Sequence, residues 1–157
     1  MIQSDKIHLC RVISSGLTGT TIMTFFSYLV SETKNKNFKE PELLGKLLYR
    51  LIPQINKKYS TIAGWNIHYT VGFLFASVYA ELWKEKRRGA SLESGLLMGG
   101  LSGLLAVIVW KLSFKLHPAP PRISFRKYYG HLLITHFVFG AFASIGFNMI
   151  RLKDFKK

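Results

Sequence analysis

The chain has 157 residues, 48% of them hydrophobic, with 22 Lys+Arg against 8 Asp+Glu and a net charge of +14. A balance this basic often signals nucleic acid, but here the basic residues sit at the ends of apolar stretches and in short loops, where they anchor to anionic head groups, so nucleic acid is excluded as a partner. One cysteine, Cys10, excludes an internal disulfide, and no lipobox precedes it, so it reads as a buried inert thiol.

Four apolar stretches follow in chain order: Val12–Val30, Tyr59–Ala80, Ser94–Trp110 and Tyr128–Ile150. Each runs about 17–23 residues without Asp, Glu, Lys or Arg. That length suits a helix crossing a ~30 Å hydrocarbon layer, where the backbone must satisfy its own hydrogen bonds. The expected fold is all-α: a single membrane domain, a bundle of four transmembrane helices in one multi-pass chain. Lys6 and Arg11 resemble the charged end of a signal peptide, but the first stretch is long and rich in Ser, Thr and Gly, so a retained helix is expected.

Four spans put both ends of the chain on one side, face A, with the segment Lys84–Glu93 and the tail Arg151–Lys157. Face B takes the segments Ser31–Lys58 and Lys111–Lys127. Face A carries about 10 basic residues and face B about 12, so the positive-inside rule nearly ties. The run Lys84-Glu85-Lys86-Arg87-Arg88 tips face A, and the termini, towards the cytoplasm. Trp65, Trp110, Tyr28, Tyr59, Tyr128 and Tyr129 are expected to form an aromatic belt at face B, and Trp83 one at face A.

The first face B segment holds its own helix. Glu40-Pro41-Glu42 is a helix start, with Pro early and acids in the first turn, and Leu43, Leu44, Leu47, Leu48, Leu51 and Ile52 recur at helical spacing. About 12 residues are too few to span, so residues 41–52 read as an amphipathic helix on the bilayer surface, or as a cap over the bundle.

The second and fourth stretches match at offsets 0, 4, 8 and 11: His68, Gly72, Ala76 and Tyr79 against His136, Gly140, Ser144 and Phe147. The first and third match through Gly16-Leu17-Thr18-Gly19 and Gly100-Leu101-Ser102-Gly103, with the first linker about 16 residues longer. A duplicated two-helix hairpin with a pseudo-two-fold along the membrane normal accounts for both. Gly95, Gly99 and Gly103, spaced by four, Gly16 and Gly19 in the first stretch, Gly72 in the second, and Gly140 with Ser144 in the fourth, are the small residues that let helix backbones approach. They serve packing inside the bundle or a homodimer face.

A histidine in a span points to function. His68 and His136 fall at the same membrane depth. Three readings stay open: hydrogen bonds to neighbours such as Ser14, Ser15 or Thr18; a haem iron or another metal held by the pair; or titration near neutral pH serving proton movement. Ser15, Thr18, Asn66 and His131 would extend such a polar pathway. His117-Pro118-Ala119-Pro120-Pro121-Arg122 is a stiff linker, Asn148 an interhelical hydrogen bond, and Glu81 a residue that snorkels beside Trp83 and Lys84. There is no phosphate-cradling Gly loop, no catalytic carboxylate pair and no nucleophile–base arrangement, so no catalytic residue is assigned.

The motifs GLTGTTIMT (Gly16–Thr24), GW-x2-HY-x2-GFLFASVYA (Gly64–Ala80), a Gly-rich third stretch, a Pro-Pro loop and GHLLITHFVFGA (Gly130–Ala141) resemble the YagU-like bacterial inner-membrane proteins. The resemblance covers most of the chain. It implies a four-helix protein of the bacterial inner membrane and brings no catalytic residues, cofactor or substrate. A role in acid tolerance attached to part of that group would fit titrating histidines. The expected function is a non-enzymatic scaffold or accessory subunit of a membrane assembly, touching anionic lipid and packing as a homo-oligomer or within a larger complex. The alternatives are a haem- or metal-binding electron-transfer subunit, and a proton or small-solute conduit, both using His68 and His136.

Overall fold

The computed structural model describes residues 2–84 and 90–150, with side chains from Asp5 onward. The basic run beyond Lys84 and the tail Arg151–Lys157, on which the inward orientation of face A rests, lie outside the described residues. Five helices and no strand make up the described chain: α1 (Ile2–Lys34), α2 (Glu40–Leu51), α3 (Lys57–Lys84), α4 (Leu92–Leu116) and α5 (Phe125–Met149). Two of them, α4 and α5, are long and apolar enough to cross a membrane. With 33 and 28 residues, α1 and α3 have the length, but Ser, Thr, His and Asn dilute their apolar character.

The helices pack in the order α2, α3, α1, α5, α4, each against the next. Thus α1 lies between α3 and α5, and α5 between α1 and α4, while α3 and α4 meet through side chains. The expected small residues make these contacts. A Cβ at Gly95 would lie 3.0 Å from the Ser144 Cβ, one at Gly99 would lie 3.1 Å from Phe137 Cα, and one at Gly103 would lie 2.9 Å from the His136 Cβ, so α4 and α5 approach backbone to backbone. Gly16 faces Phe73 and Ala76 of α3, Gly19 faces Phe139 of α5, and Gly72 faces Thr20 of α1. All eight assigned packing positions are buried.

The short helix α2 is a cap. Gly45 and Gly64 cross where a Cβ on either would strike the other helix's backbone, and Pro41, Leu43 and Leu47 are buried. Its outer face leaves Tyr49, Leu51 and Ile52 exposed. The Pro-rich linker is tied to it: Arg50 Nη1 donates to the carbonyls of Ala119 (3.2 Å) and Pro120 (2.9 Å), and His117 Nε2 donates to the Leu47 carbonyl at 3.0 Å.

At the opposite end, Tyr79, Trp83, Phe139 and Phe147 form an aromatic cluster with Met23 and Ala143. Trp83 is wholly buried and donates to Ser94 Oγ at 3.0 Å. It is a core residue, not a member of an interfacial belt. Trp110 and Tyr128 are likewise buried, in a second cluster with Phe38, Leu43, Phe114 and Leu132. Asn148 Nδ2 donates to the Ala90 carbonyl, and its Oδ1 accepts from the Ala90 N–H. Glu81 pairs with His8 and Lys84, and the Lys84 ammonium holds its exposed carboxyl below the usual range.

Candidate functional site

Helices α3 and α4 follow one another in the chain and meet through side chains. Near their connection, the Tyr79 hydroxyl and Ser102 Oγ lie 2.6 Å apart and Trp83 reaches Ser94. Further along, residues of all five helices line a cavity of about 260 Å³ bordered by both aromatic clusters. Phe75, Trp110, Phe139, Met23, Leu132 and Ala106 are part of its apolar wall, and on α3 and α4 the exposed Ile67, Val71, Leu105 and Val109 also line it. Both His68 and His136 line it, so the two imidazoles share one chamber.

Each histidine has one nitrogen committed. His136 Nδ1 lies 2.8 Å from the Leu132 carbonyl, which can only accept, so that nitrogen carries the proton and Nε2 keeps a lone pair. His68 Nε2 lies 2.8 Å from Thr24 Oγ1, whose single proton goes to the Thr20 carbonyl at 2.6 Å. His68 Nε2 therefore donates, and Nδ1 keeps the lone pair. Replacing Thr24 by Val would leave that buried N–H without an acceptor. A loss of about 1–3 kcal/mol is expected, read as a lower Tm of the protein in mild detergent, whereas Thr24→Ser should retain wild-type stability.

The residue that the sequence reading took for a helix-start acid is the most unusual group in the chain. Glu40 is 2% exposed, lines the same cavity, and accepts from Ser27 Oγ at 3.0 Å through Oε1. Its Oε2 has no partner. Burial pushes its carboxyl up from 4.5 to about 8, against the smaller opposing pulls of its own backbone N–H and Ser27. Ser27 Oγ in turn lies 3.1 Å from His131 Nε2, and His131 stacks on Phe38 with ring centroids 4.7 Å apart. Two further buried polar atoms lack partners: Thr20 Oγ1, also on the cavity wall, and the Tyr128 hydroxyl.

Of the expected polar pathway, Ser15 is buried but donates to the Ala143 carbonyl at 2.8 Å, away from the cavity lining. Thr18 is half-buried, and Asn66 is exposed on the outside of α3. His131 joins through Ser27. The sequence reading missed Glu40 although the signal was present: Glu40 is in phase with Leu43, Leu44 and Leu47 on the apolar face, whereas Glu42 is in phase with Lys46 and Arg50.

Among the described residues no three His, Cys, Asp or Glu side chains come close enough to share a metal ion. No family model matches the chain, and neither do any curated proteins or solved structures. Among the described residues, fold and site define a helical protein with an apolar cavity lined by one buried acid and two buried imidazoles.

Proposed function

We propose that the chain is a four-span, non-enzymatic component of a membrane, the bacterial inner membrane on the YagU-like resemblance, that takes up a lipid-soluble small molecule through the α3–α4 cleft. The carrying observation is the buried Glu40, with an uncommitted oxygen, on the wall of a cavity rimmed by exposed apolar side chains.

Four spans are supported by where the polar residues of α1 and α3 lie. In α1 the buried positions include Ser15, Thr20, Thr24, Ser27 and Ser31, while Leu9, Ile13, Leu17, Phe25 and Leu29 are exposed. In α3 His68 and Ser60 are buried while Ile62, Val71, Leu74, Val78 and Leu82 are exposed. A water-soluble helix has the opposite arrangement. Phe25 is 66% exposed, Leu74 63% and Leu97 on α4 66%, so the apolar surface continues around the bundle. Averaging over a whole helix hides this, because the polar half faces inwards. The basic residues beyond the apolar surface would meet anionic head groups.

The two other sequence readings fit these observations less well than lateral uptake does. The polar line from His131 through Ser27 to Glu40, and from His68 to Thr24, stops at the cluster of Met23, Tyr79, Trp83, Phe139 and Phe147, so it does not traverse the bundle. The space of about 260 Å³ lies below the ~300–1,000 Å³ of pockets for drug-sized ligands, and a porphyrin is larger still.

Single cysteines test the topology in a Cys10→Ser background. With four spans, Gln54→Cys reacts with a membrane-impermeant maleimide from the same side as Ala119→Cys, and Asp5→Cys from the opposite side. Labelling of Gln54→Cys and Asp5→Cys from one side would leave only α4 and α5 as spans and refute the reading.

A further inference from the structure

We propose that the α3–α4 cavity binds an organic ammonium ion with an apolar body, and that the ammonium enters in exchange for a proton on Glu40. The inference rests on the cleft reading above and adds the class of ligand.

Counting donors and acceptors leads to it. The N–H of His136 is committed to the Leu132 carbonyl and that of His68 to Thr24. What remains on the two rings is one lone pair each. Glu40 Oε1 is occupied by Ser27, and Oε2 is uncommitted. Once Glu40 ionises, the polar atoms left over at the cavity are three acceptors on Glu40, His68 and His136, together with the hydroxyl of Thr20, which either donates or accepts, and the indole N–H of Trp110, which only donates. An acceptor-rich chamber calls for a donor-rich ligand. A protonated amine brings up to three N–H donors and the positive charge that a buried carboxylate lacks.

The rest of the wall suits the same ligand. Phe75, Phe139 and Trp110 offer aromatic faces, which attract cations and pack against an apolar body. A metal ion fits poorly, because its short bonds of about 2.0–2.2 Å require ligands that converge, and among the described residues no three ligating side chains do. An ammonium with a body of several carbons needs no such convergence. An anionic ligand would meet a carboxyl and no committed cation at the cavity.

The exchange balances. Oε1 already accepts from Ser27, so neutral Glu40 carries its proton on Oε2. That O–H bond breaks, the proton leaves to solvent, and an N–H···O bond forms at Oε2 as the cation enters. The charge in the cleft rises by no net unit. Burial sets this carboxyl at about 8, so the proton competes with the ammonium throughout the neutral range. The groups around Glu40 leave that competition to it. From α1 Ser27 bonds it and Tyr28 interacts with it, and from α5 Tyr128 does so, with His131 reached through Ser27; His68 of α3, His136 of α5 and Trp110 and Ser113 of α4 line the same cavity. In its own segment, Lys39 is paired with Glu32 and Glu42.

The test is isothermal titration of the full chain in mild detergent with three probes of one shape: 4-phenylbutylamine, 4-phenylbutanol and 4-phenylbutyrate. The amine stays protonated from pH 6 to 9. Its affinity is expected to rise about tenfold per pH unit below 8 and to level off above it, with close to one proton released per amine bound at pH 7. The alcohol should bind weakly and without pH dependence, and the butyrate not at all. Glu40→Gln should weaken the amine about ten- to a hundredfold at pH 8.5 and abolish the pH dependence, leaving the alcohol unchanged. Val71→Trp, a bulky side chain on the exposed rim, should weaken amine and alcohol together.

Alcohol binding as tight as amine binding, blocked by Val71→Trp, would overturn the ammonium assignment and leave the cleft reading standing. Amine binding with no pH dependence would overturn the exchange. Absence of binding by both the amine and the alcohol would overturn the ligand class and the cleft reading together.

Discussion

Gly140→Ala is expected to prevent α4 and α5 from closing. The added Cβ would collide with the Gly95 carbonyl and lie 2.9 Å from both Gly99 Cα and Gly99 N. All three are backbone atoms, which cannot rotate aside as a side chain does, so α4 itself would have to move. Overpacking of this kind costs about 1–3 kcal/mol and occasionally more. Here the displaced helix also carries Gly103 and Trp110 of the cavity end, so the upper part of that range is expected. Gly130→Ala is the matched control: it lies in the same helix with nothing within 4 Å of its Cβ position. It should be neutral or stabilise α5 by up to about 1 kcal/mol, the usual difference between Gly and Ala inside a helix. Thermal unfolding and gel filtration of the two variants in detergent decide the matter. Equal Tm values would mean that α4 and α5 are not in contact through Gly140.

Glu40→Gln is expected to change how stability depends on pH. The carboxyl ionises at about 8 in the folded chain against an ordinary value of 4.5. Between those values the folded chain holds one more proton than the unfolded one, so stability falls as pH rises through that window. The full contribution of neutral Glu40 is present below about 4.5 and lost above about 8. The slope contributed by this one group is at most about 1.4 kcal/mol per pH unit. Gln has the shape of the neutral acid and does not titrate. The variant should match the wild type near pH 5 and become increasingly more stable than it up to about pH 8, after which the difference is constant. Tm measured for both proteins across pH 5–9 gives the difference directly. Parallel curves would show that Glu40 is not buried as an acid.

Much of this architecture is legible in the chain. The first three apolar stretches lie within α1, α3 and α4, the fourth runs one residue past the end of α5, and residues 41–52 differ from α2 by one position at each end. Gly95, Gly99 and Gly103 on one α4 face were readable as a close contact, because only small residues permit one. His68 and His136, matched by offset in the sequence, both line one cavity. What was not legible has physical reasons. Trp83 and Tyr128 were taken for interfacial residues because a Trp or Tyr near the end of an apolar stretch looks the same whether its ring turns outwards or inwards. Tyr128 faces inwards because Phe38 and Phe114 receive it, and Phe38 comes from a segment that composition alone does not fold back onto the bundle. Glu40 was read by its position at a helix start. Its burial depends on Gly45 and Gly64 drawing α2 onto α3, a contact between two helices that no local pattern describes. The choice between surface helix and cap turned on the same crossing.

The hydroxyl-rich inner face of α1 has a consequence for assembly. On the proposed four-span arrangement, α1 is made before its partners, and a polar face exposed to hydrocarbon is costly. Thr24 and Ser31 donate to the carbonyls of Thr20 and Ser27, four residues back in their own helix, at 2.6 Å each. These hydroxyls are satisfied before any other helix arrives. Ser15 and Ser27 bond to Ala143 and Glu40, which are synthesised later. The same helix thus carries hydroxyls that let it wait alone and hydroxyls that recognise its neighbours, and the order of synthesis becomes an order of docking: α2 first, through Ser27, and α5 last, through Ser15.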